Sequence, residues 1–371
     1  MKILFFDNDA IGLIHNPLNP SGGAAKQVLA WSKGLERIGI DTIIAGGHSE
    51  MDFFKDYANV KILYDPEKGI PKLRYLYIKL PGIIIGLFRI KSEYIYYGIP
   101  GAFAGLLALI SKLSGKYFVL RVSSNVFADG RYKEDGIVNY YFSELGFRLA
   151  YRIICQNNYQ YDHLKKRFHS KVYKLKNPFG GDIISHPLSE EKRKYIMWIG
   201  RFRYPKNLPL LYEIVKNMPD FQFTVAGGMS KNIDGESRIA LENLTRLPNV
   251  TMMGNVDSDS ILSLLKEAYV LLNTSHYEGF SNTFLEAFSV GTPVCTLPQN
   301  DPDGIIQSYS LGFIYKDKFE VKKKLNDIVY NKECYNKFTE NCLEYMKNNH
   351  DLIKQSREFI NIFNNHVDIT R

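Results

Sequence analysis

Two cations and two carboxylates of this sequence are spaced in a way that suits the binding of an anionic ligand. Arg201 and Lys206 follow the predicted strand YIMWIG, and a guanidinium and an ammonium at the end of a parallel strand can neutralise a leaving diphosphate. Glu278 and Glu286 stand on either side of a predicted helix start, where free backbone N–H groups favour a phosphate. The pattern predicts a phosphate-binding cleft. The alternative is that these residues have no binding role. One glutamate would then be buried and paired with a lysine, the other would be a solvated helical residue, and the cations would be ordinary surface residues.

The segment around the two glutamates has the form of a strand, a loop and a helix. YVLLNTS is a short apolar run, Ser281 or Asn282 is a suitable N-cap, and TFLEAFSV carries apolar residues at helical spacing. The Gly-Thr-Pro that follows ends the helix. We therefore expect Glu278 in the loop and Glu286 on the second turn of the helix. Both would lie at the carboxyl end of a strand, where open α/β sheets bind ligands.

A glycine pair marks a second candidate anion site. In SGGAAKQV, from Ser21 to Val28, Gly22 and Gly23 open a helix after the first strand and its loop. Because they lack a Cβ, their backbone can approach a ligand closely, and the start of a helix favours anions. A plain tight turn is the alternative.

No metal or cofactor is predicted. Asp7 and Asp9 form a D-x-D, the pattern that holds a divalent metal in another class of sugar transferases, but two acids within three residues often arise by chance. The sequence has no HExxH motif, no GxGxxG after a strand and no GxxxxGK[ST] loop. These absences count against a zinc site, a dehydrogenase and a P-loop NTPase.

Length and composition bound the class of protein. The 371 residues are enough for two domains, and 45% hydrophobic with 23% charged residues is ordinary for a globular protein. Four cysteines without CxxC spacing indicate free thiols in a reducing compartment. The apolar start MKILFF is interrupted at once by acidic residues, which is not the pattern of a signal peptide. No apolar run reaches the ~18 residues of a membrane span. We expect a cytoplasmic protein.

The net charge of +8 is concentrated in the first half of the sequence. Residues 1–180 hold 25 Lys and Arg against 15 Asp and Glu, a net +10, whereas the remainder holds 22 against 24, a net −2. This asymmetry predicts an anionic partner, either a membrane face or a phosphorylated acceptor. No nucleic-acid-binding signature is present. The segment from Lys72 to Lys91 mixes five cations with aromatic and aliphatic residues, and predicts peripheral contact with the cytoplasmic face of a membrane. A pair of helices with basic outer faces is the alternative.

Strand-like and helix-like stretches alternate in two successive series. The predicted strands are KILFFD, DTIIAG, NVKILY, EYIYYG, YFVLRVS and RIICQN, and then YIMWIGRF, FQFTVAGG, NVTMMG, YVLLNTS and PVCTLP. Two βαβ series predict two doubly wound α/β domains with parallel sheets. NPFGG, at residues 177–181, is the predicted linker. The expected domains are 1–176 and 177–350, with a closing helix at about 351–371.

These motifs together carry a family resemblance. GRFRYPKN, with Gly200, Arg201 and Lys206, followed by HYEGFSNTFLEAFSVGTPV, is similar to the donor half of family 4 retaining glycosyltransferases of the GT-B fold, the glycosyl transferases group 1. The E-x7-E pair, Glu278 and Glu286, is that family's signature, and SGGAAKQV resembles its N-terminal glycine loop. The resemblance implies two Rossmann-like domains facing across a cleft, with the closing helix packed back on the first domain.

The resemblance also implies roles for the site residues. In the family the first glutamate, here Glu278, contacts the donor sugar hydroxyls, and the second, here Glu286, contacts the ribose of the nucleotide. Backbone amides around Phe280, Ser281 and Asn282 meet the diphosphate. Carboxylates suit both ends of such a donor, because an ionised carboxylate accepts hydrogen bonds that a hydroxyl donates.

The function implied is metal-independent, retaining transfer of a sugar to an acceptor hydroxyl. The donor would be a nucleotide-diphosphate sugar of the UDP or GDP type. The acceptor would be a saccharide or lipid-linked saccharide in the biosynthesis of a cell-surface polysaccharide, a lipopolysaccharide or a glycolipid. The expected catalytic residues are Arg201, Lys206 and Glu278. The expected substrate-binding residues are Gly22, Gly23, Gly200, Glu278, Gly279, Phe280, Ser281, Asn282 and Glu286.

One departure from the family keeps two alternatives open. Family members often carry a histidine after the fourth or fifth strand of the first domain, where this sequence reads YIYYGIPG and LRVSSNVF. Arg121, Ser123 and Ser124 are the candidates to replace it, and a different mode of acceptor binding is the other explanation. The alternatives are a sugar-nucleotide epimerase of the GT-B fold and an inactive partner subunit of a transferase.

Overall fold

A computed structural model describes residues 1–18, 22–230, 232–329 and 331–364, without the side chains of Asp135, Ile328, Val329 and Asn364. The chain divides into two compact units. The first unit is Met1–Gly180 together with the segment from Asp351 onward, and the second unit is Gly181–His350. The division falls within the predicted linker at residues 177–181.

The first unit is built on a parallel sheet of seven strands. They are β1 (Lys2–Phe6), β2 (Asp41–Gly47), β3 (Val60–Tyr64), β4 (Tyr94–Tyr97), β5 (Tyr117–Arg121), β6 (Arg152–Cys155) and β7 (Val172–Lys174), in the order β3-β2-β1-β4-β5-β6-β7. Between them run α1 (Asn8–His15), α2 (Gly23–Arg37), α3 (Leu80–Arg89), α4 (Ala102–Leu113), α5 (Ile137–Leu149) and α6 (Asn158–Phe168). A π-helical turn, Tyr75–Lys79, leads into α3.

The second unit repeats this plan with six parallel strands. They are β8 (Tyr195–Ile199), β9 (Phe223–Ala226), β10 (Val250–Gly254), β11 (Ala268–Leu272), β12 (Val294–Thr296) and β13 (Gly312–Ile314), in the order β10-β9-β8-β11-β12-β13. The helices are α7 (Leu208–Lys216), α8 (Gly235–Leu244), α9 (Ser258–Glu267), α10 (Asn282–Ser289), α11 (Ile305–Ser308), α12 (Lys318–Val329) and α13 (Lys332–Asn349). The prediction of two doubly wound α/β domains is confirmed.

Helices cover both faces of the first sheet. Apolar side chains of α3, α4, α5 and α6 form one core cluster with the strands, and those of α1 and α2 form a second cluster on the opposite face. The central strand β1 is therefore apolar on both sides, with Ile3, Leu4, Phe5 and Phe6 all buried, as is typical of a parallel strand between two helical layers.

The closing helix α14 (Leu352–Asn364) belongs to the core of the first unit. The Phe359 ring lies 4.7 Å from the ring of Trp31 on α2. A Cβ on Gly34 of α2 would overlap the hydroxyl of Ser356, so the two helices pack with their backbones close together. The rest of the predicted closing helix, residues 365–371, lies outside the described residues.

In the described part of the chain, no helix combines the length and the apolar character that crossing a bilayer requires.

The first acid of the D-x-D has a structural task. Asp7 follows β1 and caps α1, because its Oδ1 accepts a hydrogen bond from the Ala10 N–H at 2.8 Å. Burial raises the pKa of the Asp7 carboxyl to about 6, and the hydrogen bond from Ala10 offsets only part of that effect. Among the described residues, no group of three or more His, Cys, Asp and Glu could hold a metal ion.

The cost of ionising Asp7 predicts a pH-dependent gain in stability from Asp7→Asn. The folded pKa of about 6 lies above the ordinary value of 3.8, so the wild type loses stability as pH rises through that interval. Asparagine caps helices as well as aspartate does. We expect Asp7→Asn to raise the free energy of unfolding by about 1 to 3 kcal/mol at neutral pH, and by nothing at about pH 3.

Thermal melting of both proteins across that pH range tests the prediction. Asp257→Asn is the control, because Asp257 caps α9 from a partly exposed position and hydrogen bonds, first that from the Ser260 N–H, lower its pKa. The control gains nothing at neutral pH. An equal gain for Asp7→Asn at low and neutral pH would contradict the account.

Candidate functional site

The candidate residues of the second unit lie on two neighbouring loops. The strand order reverses between β8 and β11, which are hydrogen-bonded neighbours, for example through Leu271 and Met197. One loop follows β8 and carries Gly200, Arg201 and Lys206, and the other follows β11 and carries Glu278. Open α/β sheets bind ligands at the carboxyl ends of strands where the order reverses.

The end of β8 is shaped by glycine. A Cβ on Gly200 would lie 3.0 Å from the Trp198 ring and 3.2 Å from the stem of Lys206, so glycine lets the lysine lie against the strand end. A Cβ on Gly227, after β9, would overlap the Gly200 carbonyl oxygen. Phe202 donates its N–H to the Gly228 carbonyl at 3.0 Å. The backbone around Arg201, which is partly buried, is therefore held against the neighbouring strand end.

Lys206 and Glu278 form a close ion pair between the two loops. The Lys206 Nζ lies 2.5 Å from the Glu278 Oε1, and each side chain is only 16% exposed. The two residues are 72 positions apart in the sequence. Predicted as site residues from separate motifs, they are brought into direct contact by the pairing of β8 with β11.

Further hydrogen bonds converge on the same oxygen of Glu278. Its Oε1 accepts from the Ser275 hydroxyl at 2.8 Å and from the Asn273 amide at 3.4 Å. Burial would raise the pKa of Glu278, but the charge of Lys206 and the hydrogen bonds from Lys206, Ser275 and Asn273 outweigh burial, so the pKa is lowered. Within the described residues, all the hydrogen bonds to this carboxylate end on Oε1. Its Oε2 keeps its acceptor capacity.

A second set of contacts fixes the two loops to each other. The Trp198 indole N–H donates to the Thr274 hydroxyl at 3.0 Å, which in turn donates to the Lys206 carbonyl at 2.8 Å. The His276 N–H donates to the Pro205 carbonyl at 2.9 Å. These bonds hold the backbone of Lys206 relative to the loop that carries its partner carboxylate.

Asn273 is a site residue that sequence reasoning missed. Its Oδ1 accepts from Thr296 at 3.2 Å and from Asn300 at 3.3 Å, and its carbonyl accepts from the Tyr315 hydroxyl at 2.8 Å. Asn300 also donates to the Ser275 carbonyl. The sequence does show a polar run, Asn-Thr-Ser, directly after a buried strand, and this run could have indicated Asn273. The run alone does not predict which residues form hydrogen bonds with it.

Helix α10 presents its start to the same loop and buries the second glutamate. Ser281 is the N-cap residue, as predicted, but its hydroxyl bonds the Thr283 hydroxyl at 2.9 Å and makes no capping hydrogen bond. Glu286 lies on the second turn, as predicted, and only 6% of it is exposed. The alternative of a solvated helical glutamate is therefore wrong. Gly279 and Phe280 are partly buried between the loop and the helix start.

The glycine pair lies in the first unit at the start of α2. Gly22 is the N-cap residue with a φ of −78°, and Gly23 is the first helical residue. Among the described residues, no atom lies within 4 Å of a Cβ built on Gly22, so neither its backbone conformation nor its packing against those residues requires glycine. Ser21 lies outside the described residues.

Arg121, one of the candidates to replace the missing histidine, is buried in the first unit. It ends β5, is 2% exposed, and donates to the Asn177 side chain. Its guanidinium lies 5.7 Å from the centre of the Trp31 ring. Arg121 therefore packs inside the first unit, whereas Ser123 and Ser124 are partly exposed.

Comparisons with known proteins agree with this architecture. Residues 182–345 match the family model described as Glycosyl transferases group 1. No curated protein sequence matches the chain significantly.

Solved structures of low sequence identity share the fold over nearly the whole chain. HepE of Anabaena, solved with UDP and glucose, is 14% identical, with a TM-score of 0.76 over 99% of this chain and 100% of that one. Sucrose-phosphate synthase from Thermosynechococcus elongatus is 15% identical, with a TM-score of 0.78 over 98% of each chain. WaaG, a glycosyltransferase involved in lipopolysaccharide biosynthesis, is 13% identical, with a TM-score of 0.68 over 99% of this chain and 100% of that one. The chain thus has the GT-B fold, and its residues 182–345 are similar to the glycosyl transferases group 1.

Proposed function

We propose that this protein is a retaining, metal-independent glycosyltransferase that moves a sugar from a nucleotide-diphosphate donor to an acceptor hydroxyl. The observation that carries the proposal is the asymmetric use of the Glu278 carboxylate. Its Oε1 is occupied by Lys206, Ser275 and Asn273, and its Oε2 can accept a hydrogen bond from a sugar hydroxyl.

Lys206 and Arg201 stabilise the departing diphosphate in this mechanism. When the bond between the sugar and the β-phosphate breaks, negative charge develops on the leaving group. The Lys206 ammonium has three N–H donors, so it can keep its bond to Glu278 and still donate to a phosphate oxygen. Arg201, on the same loop, supplies a second positive charge to the leaving group. Cations placed in this way supply the charge stabilisation that a metal gives in other transferases.

The start of α10 binds the diphosphate, and the two glutamates bind the hydroxyl-bearing ends of the donor. Backbone N–H groups at Phe280, Ser281 and Asn282 donate to phosphate oxygens, as at other helix starts. Glu278 orients the sugar, and the buried Glu286 accepts from the ribose. The absence of a capping bond from the Ser281 hydroxyl supports this use of the helix start.

The substrate classes rest on similarity. HepE structures contain UDP, glucose or UDP-glucose, which supports a UDP-type donor, with a GDP-type donor as the other candidate. WaaG is involved in lipopolysaccharide biosynthesis, which supports a saccharide or lipid-linked saccharide acceptor of a cell-surface polymer. We propose that the protein acts on such an acceptor at the cytoplasmic face of the membrane. Retention is proposed from the resemblance of GRFRYPKN and the E-x7-E pair.

Removing the charge of either Lys206 or Arg201, which we call the clamp cations, should abolish most of the turnover. We expect Lys206→Ala and Arg201→Ala each to lower kcat by about 100-fold or more, the scale seen when one pre-organised electrostatic donor is lost. The assay follows sugar transfer in the presence of EDTA, because the mechanism needs no metal. The anomeric configuration of the product, followed by NMR, tests retention.

Arg238→Ala is the matched control, because Arg238 is an exposed cation of the second unit and should leave kcat unchanged. Thermal melting shows whether each variant is folded. If both clamp variants kept a kcat within a few-fold of the wild type, that result would contradict the proposed mechanism. Formation of an epimerised sugar nucleotide without acceptor would favour an epimerase, and failure to bind any nucleotide would favour an inactive subunit.

The open space around Gly22 separates a structural role from a functional one. We expect Gly22→Ala to fold normally, since alanine adopts a φ of −78° and its Cβ meets no atom of the described part of the chain within 4 Å. If the Gly22 backbone closely approaches substrate, the added methyl group should lower kcat/KM by about ten-fold or more. Steady-state kinetics and a melting curve measure both effects. Unchanged kinetics in a folded variant would assign Gly22 to a plain turn.

A further inference from the structure

The segment Lys68–Lys91 of the first unit is unusual in its charge. It contains six cations, Lys68, Lys72, Arg74, Lys79, Arg89 and Lys91, and no aspartate or glutamate. Tyrosine, leucine, isoleucine and phenylalanine fill most of the positions between them. We call the exposed surface of this segment the basic apolar face.

Helix α3, in the second half of this segment, is apolar on both sides. Its inner side packs tightly on β3, because a Cβ on Gly82 would lie 2.6 Å from the Leu63 carbonyl oxygen and one on Gly86 2.7 Å from the Leu63 side chain. On its outer side, Ile85 is 49% exposed and Phe88 is 50% exposed. A surface helix normally carries polar residues on its outer side, so this outer side lacks the usual adaptation to water.

The turn before α3 holds further apolar side chains in the open. Ile70, Leu73 and Leu76 are exposed, Leu76 by 64%. The turn is nevertheless ordered by hydrogen bonds, since the Tyr77 hydroxyl accepts from the Ile70 N–H at 2.6 Å and the Arg74 N–H donates to the Ile70 carbonyl at 2.9 Å. The hydrogen bonds therefore order the turn in a conformation that leaves these apolar side chains exposed.

Apolar exposure continues on the same side of the sheet. Helices α4 and α5 contribute to the same core cluster as α3 and therefore cover the same face. Leu113 at the end of α4 and Ile137, Val138 and Tyr141 at the start of α5 are all exposed. Large apolar patches on a soluble domain mark interaction surfaces.

We propose that the basic apolar face seats the first unit on an anionic lipid bilayer. Cations bring the face to the lipid head groups, exposed leucine, isoleucine and phenylalanine insert shallowly, and tyrosines lie at the polar boundary. A second copy of the chain fits the face poorly, because self-association would place six cations against six cations. The charge of this face matches an anionic surface. This inference rests on the location given in the proposed function and adds the surface and the lipid charge that would hold the protein there. It is tested without donor or acceptor, so its failure would leave the proposed sugar transfer untouched.

Co-sedimentation of the full chain with phosphatidylglycerol vesicles tests the proposal, with phosphatidylcholine vesicles as the uncharged comparison. The charge variant reverses three exposed lysines of the face that make no ion pair among the described residues: Lys68→Glu, Lys72→Glu and Lys91→Glu. The control variant makes the same change in charge at exposed cations of the second unit: Arg238→Glu, Arg246→Glu and Lys266→Glu. The apolar variant is Ile85→Gln with Phe88→Gln, and its control is Ile239→Gln with Phe319→Gln.

We expect the wild type to bind the anionic vesicles, more weakly as salt rises. One surface cation contributes about five-fold to partitioning, so losing three should cost roughly 100-fold. The charge variant should lose at least that much, because its glutamates also repel anionic lipid, and the apolar variant should lose about ten-fold or more. Both controls should bind like the wild type, and all variants should keep the nucleotide affinity of the wild type.

Three results would overturn the proposal. The wild type could fail to sediment with anionic vesicles at low salt. The charge control could lose as much binding as the charge variant, which would indicate a general charge effect. Sedimentation velocity could show a wild-type dimer that the apolar variant disperses, which would make the face a contact between two copies of this chain.

Discussion

The ion pair between Lys206 and Glu278 is the interaction on which the candidate site depends. Taking a carboxylate and an ammonium largely out of water is costly, and their mutual attraction offsets that cost only when hydrogen bonds satisfy the remaining groups. Ser275 and Asn273 do this for Glu278. Thr274 holds the backbone of Lys206 from the other side. Removing either charge would leave the other largely buried and unpaired. The same ion pair therefore both holds the two loops together and sets the charge of the site.

The pair exists because the sheet places β8 beside β11. Every strand of the second unit is parallel to its neighbours, so the loops after β8 and β11 emerge at the same edge. Glycine at position 200 leaves room for the lysine stem, and α10 begins directly after the loop that carries Glu278. The cations, a carboxylate and the backbone N–H groups therefore lie at one place. They are brought there by the ends of the two strands, by Gly200 and by the start of α10. This combination suits a ligand that has both phosphates and hydroxyls.

Sequence reasoning found the parts of this site but not their connections. The strand, loop and helix around Glu278 and Glu286 were predictable because buried strands and helix starts have strong local patterns. The contact between Lys206 and Glu278 spans 72 positions and depends on strand order, which local patterns do not specify. One alternative from the sequence was a buried glutamate paired with a lysine, and this describes Glu278 correctly. Such a pair does not exclude a role of Glu278 in ligand binding. The edge strands β7 and β13 were missed, because each has only three residues and neither is bounded on both sides by proline, as the equally short β12 is by Pro293 and Pro298.

A double-mutant cycle on donor binding tests the central claim most directly. Wild type, Lys206→Met, Glu278→Gln and the double variant are titrated calorimetrically with UDP-glucose, or with a GDP sugar if only that donor binds. If the two residues act as one unit, each single change should weaken binding by about ten-fold or more, and the double change should weaken it no further than the worse single change. Effects that multiply in the double variant, or single changes without effect, would contradict the account.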